Sequence, residues 1–394
     1  MTVREAPARV LFHVQHLLGV GHQVRAGAIA RAMSDAGLEV HVAQGGASGA
    51  ADAQDPSVHV HRLPAARSAD AQFSGLVTET GQPVDDAWRA ARRDRLMQVF
   101  DTVAPDILLI EGYPFARRQF RFELDPLLNV ARGRIPVAVS IRDILVEKNK
   151  PGRADEIVAV VQDGIDRVLV HGDPVFVRLQ QSFPMADRIA GKTVYTGYVV
   201  ADPPGRTNDG DDGRDEIVVS AGGGAVGGSL LRGALAAAQR PAMEAYRWRL
   251  LLGPNLPDDD RSALAALPDN VVAEPVRHDF RAILARAAAS VSQAGYNTMM
   301  DLSVAGCRSV LVPFASAGET EQPLRAELAR QRGWAAVVPE AGLTPDRLAD
   351  TLRESLAGPR PGPWPLDRGG AVRTAALVKQ VAMDRRCDDG TGTP

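Results

Sequence analysis

Short apolar runs alternate with longer amphipathic stretches along the whole chain, the pattern of β-α-β units built around parallel sheets. In the first half, residues 10–14, 38–42, 107–110, 137–141 and 168–170 predict strands. A helix is expected over about residues 23–36, and Phe120, Leu124, Leu127 and Leu128 have the spacing of one helix face. The alternation stops over residues 197–216, which hold Pro203-Pro204 and an Asn-Asp-Gly-Asp-Asp-Gly-Arg-Asp run ending at Asp215. That composition predicts a solvated linker or disordered loop. The alternation restarts at Ile217 and predicts strands over residues 217–220, 248–252, 271–273, 288–291, 310–312 and 336–338. A Pro-rich break over residues 359–365 precedes a last helix, residues 369–383. With 394 residues there is room for two domains. The expected organisation is α/β, with Rossmann-like domains over 1–200 and 217–366, an acidic linker over 201–216 and a terminal helix within 367–386.

Composition narrows the partners. The formal net charge of -3 does not suit a nucleic-acid binder. No apolar run approaches the ~20 residues of a membrane span, and the first nine residues lack a signal-peptide core. Cys307 and Cys387, far apart, make neither a disulfide framework nor a zinc site. A reduced, cytoplasmic protein is expected, with no membrane association.

Candidate chemistry gathers at strand ends. The run Ser290-Val-Ser-Gln-Ala-Gly-Tyr-Asn-Thr-Met-Met-Asp301 reads as strand, glycine turn and helix. Gly295 allows the turn, and the N–H groups at the start of the helix, around Asn297 and Thr298, can hold an anion. Asp301 follows roughly 5 Å further along the axis, within reach of a ribose hydroxyl. Gly222, Gly223 and Gly224 follow the strand ending at Ser220 and precede a helix over residues 229–238. They form either a phosphate-accepting nest or a close-packed turn. No Walker lysine follows, and no acid ends the next strand. In the first half, Gly19-Val-Gly-His22 follows a strand, with Arg25 one turn on. His22 is either a neutral general base at a helix mouth, where the dipole disfavours imidazolium, or a capping histidine. His13 and His16 compete with it. Glu111, at a strand end, is a second acid/base candidate. Arg117 and Arg121, four apart, are expected on one helix face, holding an anion or simply solvated. Arg142-Asp143 and Glu147-Lys148 either face the ligand or form local ion pairs. No Asp-x-Asp or His-Glu-x-x-His pattern calls for a metal.

The stretch from Ser290 through Val310-Leu-Val-Pro-Phe314 to Glu319-Thr-Glu-Gln322 resembles the donor half of GT-B glycosyltransferases. Among these it is most similar to the peptidoglycan UDP-N-acetylglucosaminyltransferases and their uncharacterised relatives. The resemblance implies two domains facing a cleft, with the last helix crossing back to the first domain. It implies that Ala294, Gly295, Tyr296, Asn297 and Thr298 hold a diphosphate, that Asp301 binds the ribose and that Gln322, beside Glu321, reads sugar hydroxyls. The turn at Val276-Arg277 contacts the base, and Gly222–Gly224 lie near the diphosphate or the acceptor. The family usually has Glu at the position of Asp301 and often two adjacent Gln where this chain has Glu321-Gln322. By the same resemblance, Gly19, Gly21, His22 and Arg25 form the acceptor-side loop, which Arg117, Arg121 and Arg142 supplement. The pattern Gly-x-Gly-His-x-x-Arg is equally similar to nucleotide-sugar hydrolases of the pseudaminic-acid pathway. The expected activity is inverting, metal-independent transfer from a nucleoside-diphosphate sugar, most naturally a UDP-sugar, which is co-substrate rather than cofactor. His22 or Glu111 is the base, and the acceptor is a small metabolite or lipid-linked. The alternatives are a nucleotide-sugar hydrolase or 2-epimerase, or a non-catalytic nucleotide-sugar-binding partner.

Overall fold

The computed structural model describes residues 6–17, 21–46, 55–69, 75–146, 151–201, 210–223, 226–264, 266–316 and 318–388. The chain divides into two compact units, residues 1–201 with 367–394 and residues 202–366.

In unit 1, β1 (Arg9–Val14) leads to α1 (Gly21–Asp35), β2 (Glu39–Gln44) and β3 (Val58–Arg62). A small hairpin, β4 (Ala66–Ser68) with β5 (Leu76–Thr78), precedes α2 (Asp86–Val103). Then come β6 (Ile107–Glu111), α3 (Arg121–Ala131), β7 (Val137–Arg142), α4 (Arg153–Gly164), β8 (Arg167–His171) and β9 (Thr193–Tyr195). Seven strands form one parallel sheet in the order β3-β2-β1-β6-β7-β8-β9. Alternate residues feed two cores. Leu11, Leu108, Ile110 and Val139 pack with Leu96, Leu124 and Val158 of α2, α3 and α4. Val10, Phe12, Ile107 and Leu109 pack with Ile29 and Met33 of α1. Burial on both faces makes these strands read as continuous apolar runs. The edge strands β3 and β9 and the hairpin, none of which the pattern predicted, are only partly buried and carry polar residues.

One buried charge ties this unit together. The Arg92 side chain on α2 is wholly buried and all five of its N–H donors are used. Its fork meets Glu123 at 2.6 and 2.9 Å, and the remaining donors reach Gln15 Oε1 and the carbonyls of Gly45 and Pro64. His13 Nε2 adds a contact to Glu123 at 3.2 Å.

In unit 2 the elements are β10 (Ile217–Ser220), α5 (Gly228–Ala238), β11 (Trp248–Leu252), α6 (Asp258–Ser262), β12 (Val271–Pro275), α7 (Phe280–Arg286) and β13 (Ala289–Ser292). They continue through α8 (Tyr296–Ala305), β14 (Ser309–Leu311), α9 (Glu321–Gln331), β15 (Ala336–Val337) and α10 (Pro345–Ala357). Six parallel strands run β12-β11-β10-β13-β14-β15, the doubly wound order that reverses beside the first strand. Unit 1 repeats the reversal between β1 and β6. The last helix, α11 (Gly370–Asp388), belongs to unit 1 and lies along α1, with Ala375, Val378 and Ala382 in the core that Ile29 lines.

The expected solvated linker needs correcting at its end. Residues 202–209 lie outside the described residues, but Asp212 and Glu216 are built into unit 2. Glu216 is buried against Arg249 at 2.6 Å, and Asp212 bridges Arg249 and Arg277 at 3.1 and 2.6 Å. Two arginines on and beside the sheet need those carboxylates, so the acidic run serves as counter-charge.

Candidate active site

In open α/β sheets, ligands bind at strand C-terminal ends where strand order reverses. In unit 1 that point lies between β1 and β6. Gly21 and His22 are the first residues of α1, and Glu111 is the last of β6; Gly19 lies outside the described residues. The imidazole Nδ1 of His22 is 2.9 Å from Glu111 Oε1, and Arg25, one turn on, donates to the same oxygen at 2.6 Å. Burial favours a neutral Glu111, but the groups around it outweigh burial and hold its pKa well below the usual carboxylate range. An ionised carboxylate has no proton to give, so Nδ1–H is the donor and Nε2 keeps its lone pair. Arg25 also lies 3.2 Å from Nδ1; two facing N–H groups do not bond, and its donor is satisfied by Glu111.

His22 keeps a fifth of its side-chain surface exposed, yet the surrounding protein lowers its pKa from 6.5 to about 3. Burial is the main cause; Arg117 and Arg25 add to it and Glu111 opposes it. A neutral base was expected from the helix dipole, but desolvation is the larger influence. With His22 neutral, the cations that keep Glu111 ionised are Arg25 and Arg117. Glu111 Oε2 is buried without a hydrogen-bond partner among the described residues. Glu111 is thus placed to orient the imidazole through its Nδ1–H.

Arg117 and Arg121 do not share a helix face, contrary to expectation. Arg117 precedes the helix in a left-handed conformation (φ 60°), which turns it toward the charge cluster. Its side chain makes no hydrogen bond to another described residue, and burial, followed in effect by Arg142 and Arg25 against the pull of Glu111, lowers its pKa to about 10. Arg121 is exposed on α3 and pairs with Asp125 and Glu156, both at 3.2 Å. Arg142 ends β7, half-buried, opposite His171 in register. Asp143 is buried and accepts from the Tyr198 hydroxyl at 3.0 Å; Glu147 and Lys148 lie outside the described residues. His171 escaped the sequence reading. It is fully buried between Ser140 Oγ at 2.6 Å and Thr196 Oγ1 at 2.8 Å, and burial lowers its pKa to about 3. Its signal was a lone polar residue ending an otherwise apolar strand.

In unit 2 the reversal lies between β10 and β13, and both expected loops arrive there. Gly222 has φ +71°, which favours glycine, and a side chain on it would point at the Thr298 hydroxyl, 3.9 Å away. Gly223 is held through its carbonyl by Asn255 at 2.8 Å; Gly224 lies outside the described residues. Gly295 sits at the turn in extended backbone, with φ -66° and ψ 151°, and does not use glycine's left-handed freedom. It caps α8, and a side chain there would meet nothing within 4 Å, so glycine leaves open space before the first helical N–H groups. Those of Tyr296, Asn297 and Thr298 precede the first intrahelical bond, Met299 N–H to the Gly295 carbonyl at 3.0 Å. The arrangement suits an anion.

Gln322 braces this site. Its Oε1 accepts from the backbone N–H of Ala294 at 3.1 Å and of Phe314 at 3.2 Å. Two backbone donors fix which end is oxygen, so the NH₂ end is free to donate. Glu321 differs from expectation: it is buried against Arg325 at 2.8 Å, and Arg325 also donates to the Ala294 carbonyl at 2.9 Å. It supports the turn as counter-charge. Asp301 is paired with Arg281 at 3.0 Å, and burial raises its pKa against that pull. The Val276 N–H is committed to the Leu252 carbonyl at 2.9 Å, and the Arg277 side chain to Asp279 and Asp212. Replacing Gln322 by Ala should weaken nucleoside-diphosphate binding as well as sugar discrimination, by roughly 1 kcal/mol, because the Ala294 turn loses its brace. Calorimetry with UDP checks this; unchanged UDP affinity would show that the brace does not shape the site.

Residues 218–361 match the Glycosyltransferase family 28 C-terminal domain. The UDP-N-acetylglucosamine–N-acetylmuramyl-(pentapeptide) pyrophosphoryl-undecaprenol N-acetylglucosamine transferase of Mesorhizobium japonicum is 24% identical over 389 residues, covering 94% of either chain. The solved structure of CalG4, the calicheamicin glycosyltransferase, aligns with a TM-score of 0.60 at 16% identity, covering 99% of this chain and 98% of that one. Glycosyltransferase VinC in complex with dTDP aligns with a TM-score of 0.59 at 15% identity, covering 95% of each chain. The chain has the GT-B fold, and over nearly its whole length it resembles the peptidoglycan UDP-N-acetylglucosaminyltransferases.

Proposed function

We propose that this chain is a glycosyltransferase that moves a sugar from a nucleoside-diphosphate sugar, most naturally a UDP-sugar, to an acceptor hydroxyl. The observation that carries the reading is the meeting, in unit 2, of the Gly222 loop and the N-terminus of α8 at the strand-order reversal. Backbone N–H groups there offset diphosphate charge without a metal. The Gln322 NH₂ group is placed to donate to a sugar hydroxyl, and Asp301 accepts from the ribose. In unit 1, His22 Nε2 takes the acceptor proton while Glu111 holds the ring. Arg117, beside the Arg25–Glu111 pair, favours an acceptor with an anionic group near the reacting hydroxyl. A single in-line displacement on the anomeric carbon inverts it. A cytoplasmic location completes the reading.

UDP should stabilise the protein without added divalent metal, by about 2.7 kcal/mol at a hundredfold excess over its dissociation constant. Melting is measured with UDP, GDP and dTDP, with and without Mg²⁺. A flat response to all three would overturn the nucleotide site. Incubation with a UDP-sugar alone separates the hydrolase: rapid release of free UDP and sugar without acceptor would replace transfer by hydrolysis.

A further inference from the structure

Away from these loops, the outer edge of the unit 1 sheet carries a set of side chains that sugar transfer does not use. Strand β3 is the sheet edge and pairs only with β2. Its residues alternate, Val58-His59-Val60-His61, as do Glu39-Val40-His41 on β2. The parallel register sets His41 opposite His59. The period of two then puts Glu39, His41, His59 and His61 on one face, while Val40 and Val58 turn to the core beside α1. The His41 ring stacks on His59 at 4.7 Å between centroids and on His61 at 5.2 Å. Its Nε2 is 2.9 Å from Glu39 Oε1, and its Nδ1 is 3.0 Å from His61 Nε2.

We propose that Glu39, His41 and His59 bind one zinc-type divalent metal ion on this edge, with His61 fixing the His41 ring from behind. One ligand atom from each of the three residues lies within 4.8 Å of the other two. Metal–ligand bonds of about 2.1 Å put donors about 3.4 Å apart, so small side-chain rotations close the set. Two imidazoles and a carboxylate suit zinc, nickel or copper rather than magnesium or calcium. When His41 ligates through Nε2, its Nδ1–H donates to His61, the arrangement that fixes a ligating histidine's tautomer. His61 Nε2, 3.0 Å from that nitrogen, is placed to accept. The ion would clip an edge strand to its one neighbour and hide an edge otherwise open to pairing with another chain.

The test uses full-length, tag-free protein stripped with a chelator and titrated calorimetrically with Zn²⁺ at pH 7.5. One saturable site per chain is expected. His59→Ala should weaken it at least 100-fold. His61→Ala, acting through His41, should weaken it 10–100-fold. Glu39→Gln, which keeps the shape of the side chain, should also weaken it, and circular dichroism checks that all three variants fold. At pH 5.5 the site should empty as the imidazoles take up protons; among the described residues Arg95 is a further charged group acting on His61. Absence of saturable binding in the wild type, or equal affinity in wild type and His59→Ala, would overturn the proposal.

Discussion

His22→Asn is expected to lower turnover by roughly 10²–10⁴-fold while nucleotide binding, which belongs to unit 2, is retained. Asparagine can keep a hydrogen bond to Glu111 but cannot take a proton, so the variant separates positioning from chemistry. Glu111→Gln should lower kcat by a smaller factor, because it leaves the base present but loosens its ring and tautomer. The pH profile carries a second signature. The base works only when neutral, and the His22 pKa of about 3 puts its loss of function near that pH, so a wild-type profile should show no His22 limb between pH 5 and 8. Stability behaves in the same direction. The unfolded imidazole takes up a proton near pH 6.5 and the folded one only near 3. Between those values the unfolded state binds more protons, and stability falls as pH falls. His171 adds to this in the same window. Glu111 contributes stability above its unfolded pKa of 4.5 and loses it as pH falls below. Near-wild-type turnover by His22→Asn would sink the assignment.

Arg92→Ala is expected to cost 3–5 kcal/mol of unit 1 stability, the usual cost of breaking a buried ion pair from one side. Glu123 would be left buried with His13 as its remaining side-chain partner among the described residues, and the Gly45 and Pro64 carbonyls would each lose the Arg92 donor. The Gln15 Oε1, just past β1, would lose its Arg92 donor too, so the chain leaving β1 should loosen. Because two units need not melt together, the change is read from the transition of unit 1 in denaturant, with the unit 2 transition as internal reference. A loss below about 1 kcal/mol would show that Glu123 finds water or a proton at little cost.

The central strands were legible because parallel strands buried on both faces are almost purely apolar, and each was found within about two residues. The loops following β10 and β13 were legible for a related reason: glycines and polar residues interrupt those runs where ligands bind. The unit 1 edge strands β3 and β9 lack that signal. His59 and His61 alternate with valines on a half-exposed strand, and nothing local sets such a segment apart from a loop.

Side-chain roles were a different matter. Residue type and spacing marked His22 and Glu111, and the family resemblance marked Arg25 and Gln322, but neither could say which of His22 and Glu111 is the base. That depends on Arg25 and Arg117 standing beside the carboxylate and on the burial of the imidazole, both products of packing across β1, β6 and the loop after it. Likewise Glu321 and Asp212 read as ligand-facing or solvated acids until Arg325, Arg249 and Arg277 were placed against them. From the amino-acid sequence alone come the α/β class, the two sheets and the positions of the chemistry-bearing loops, because backbone pattern is a local property. Charge state and the division between positioning and reacting groups were decided only by the tertiary structure, because both depend on neighbours that are distant in the chain.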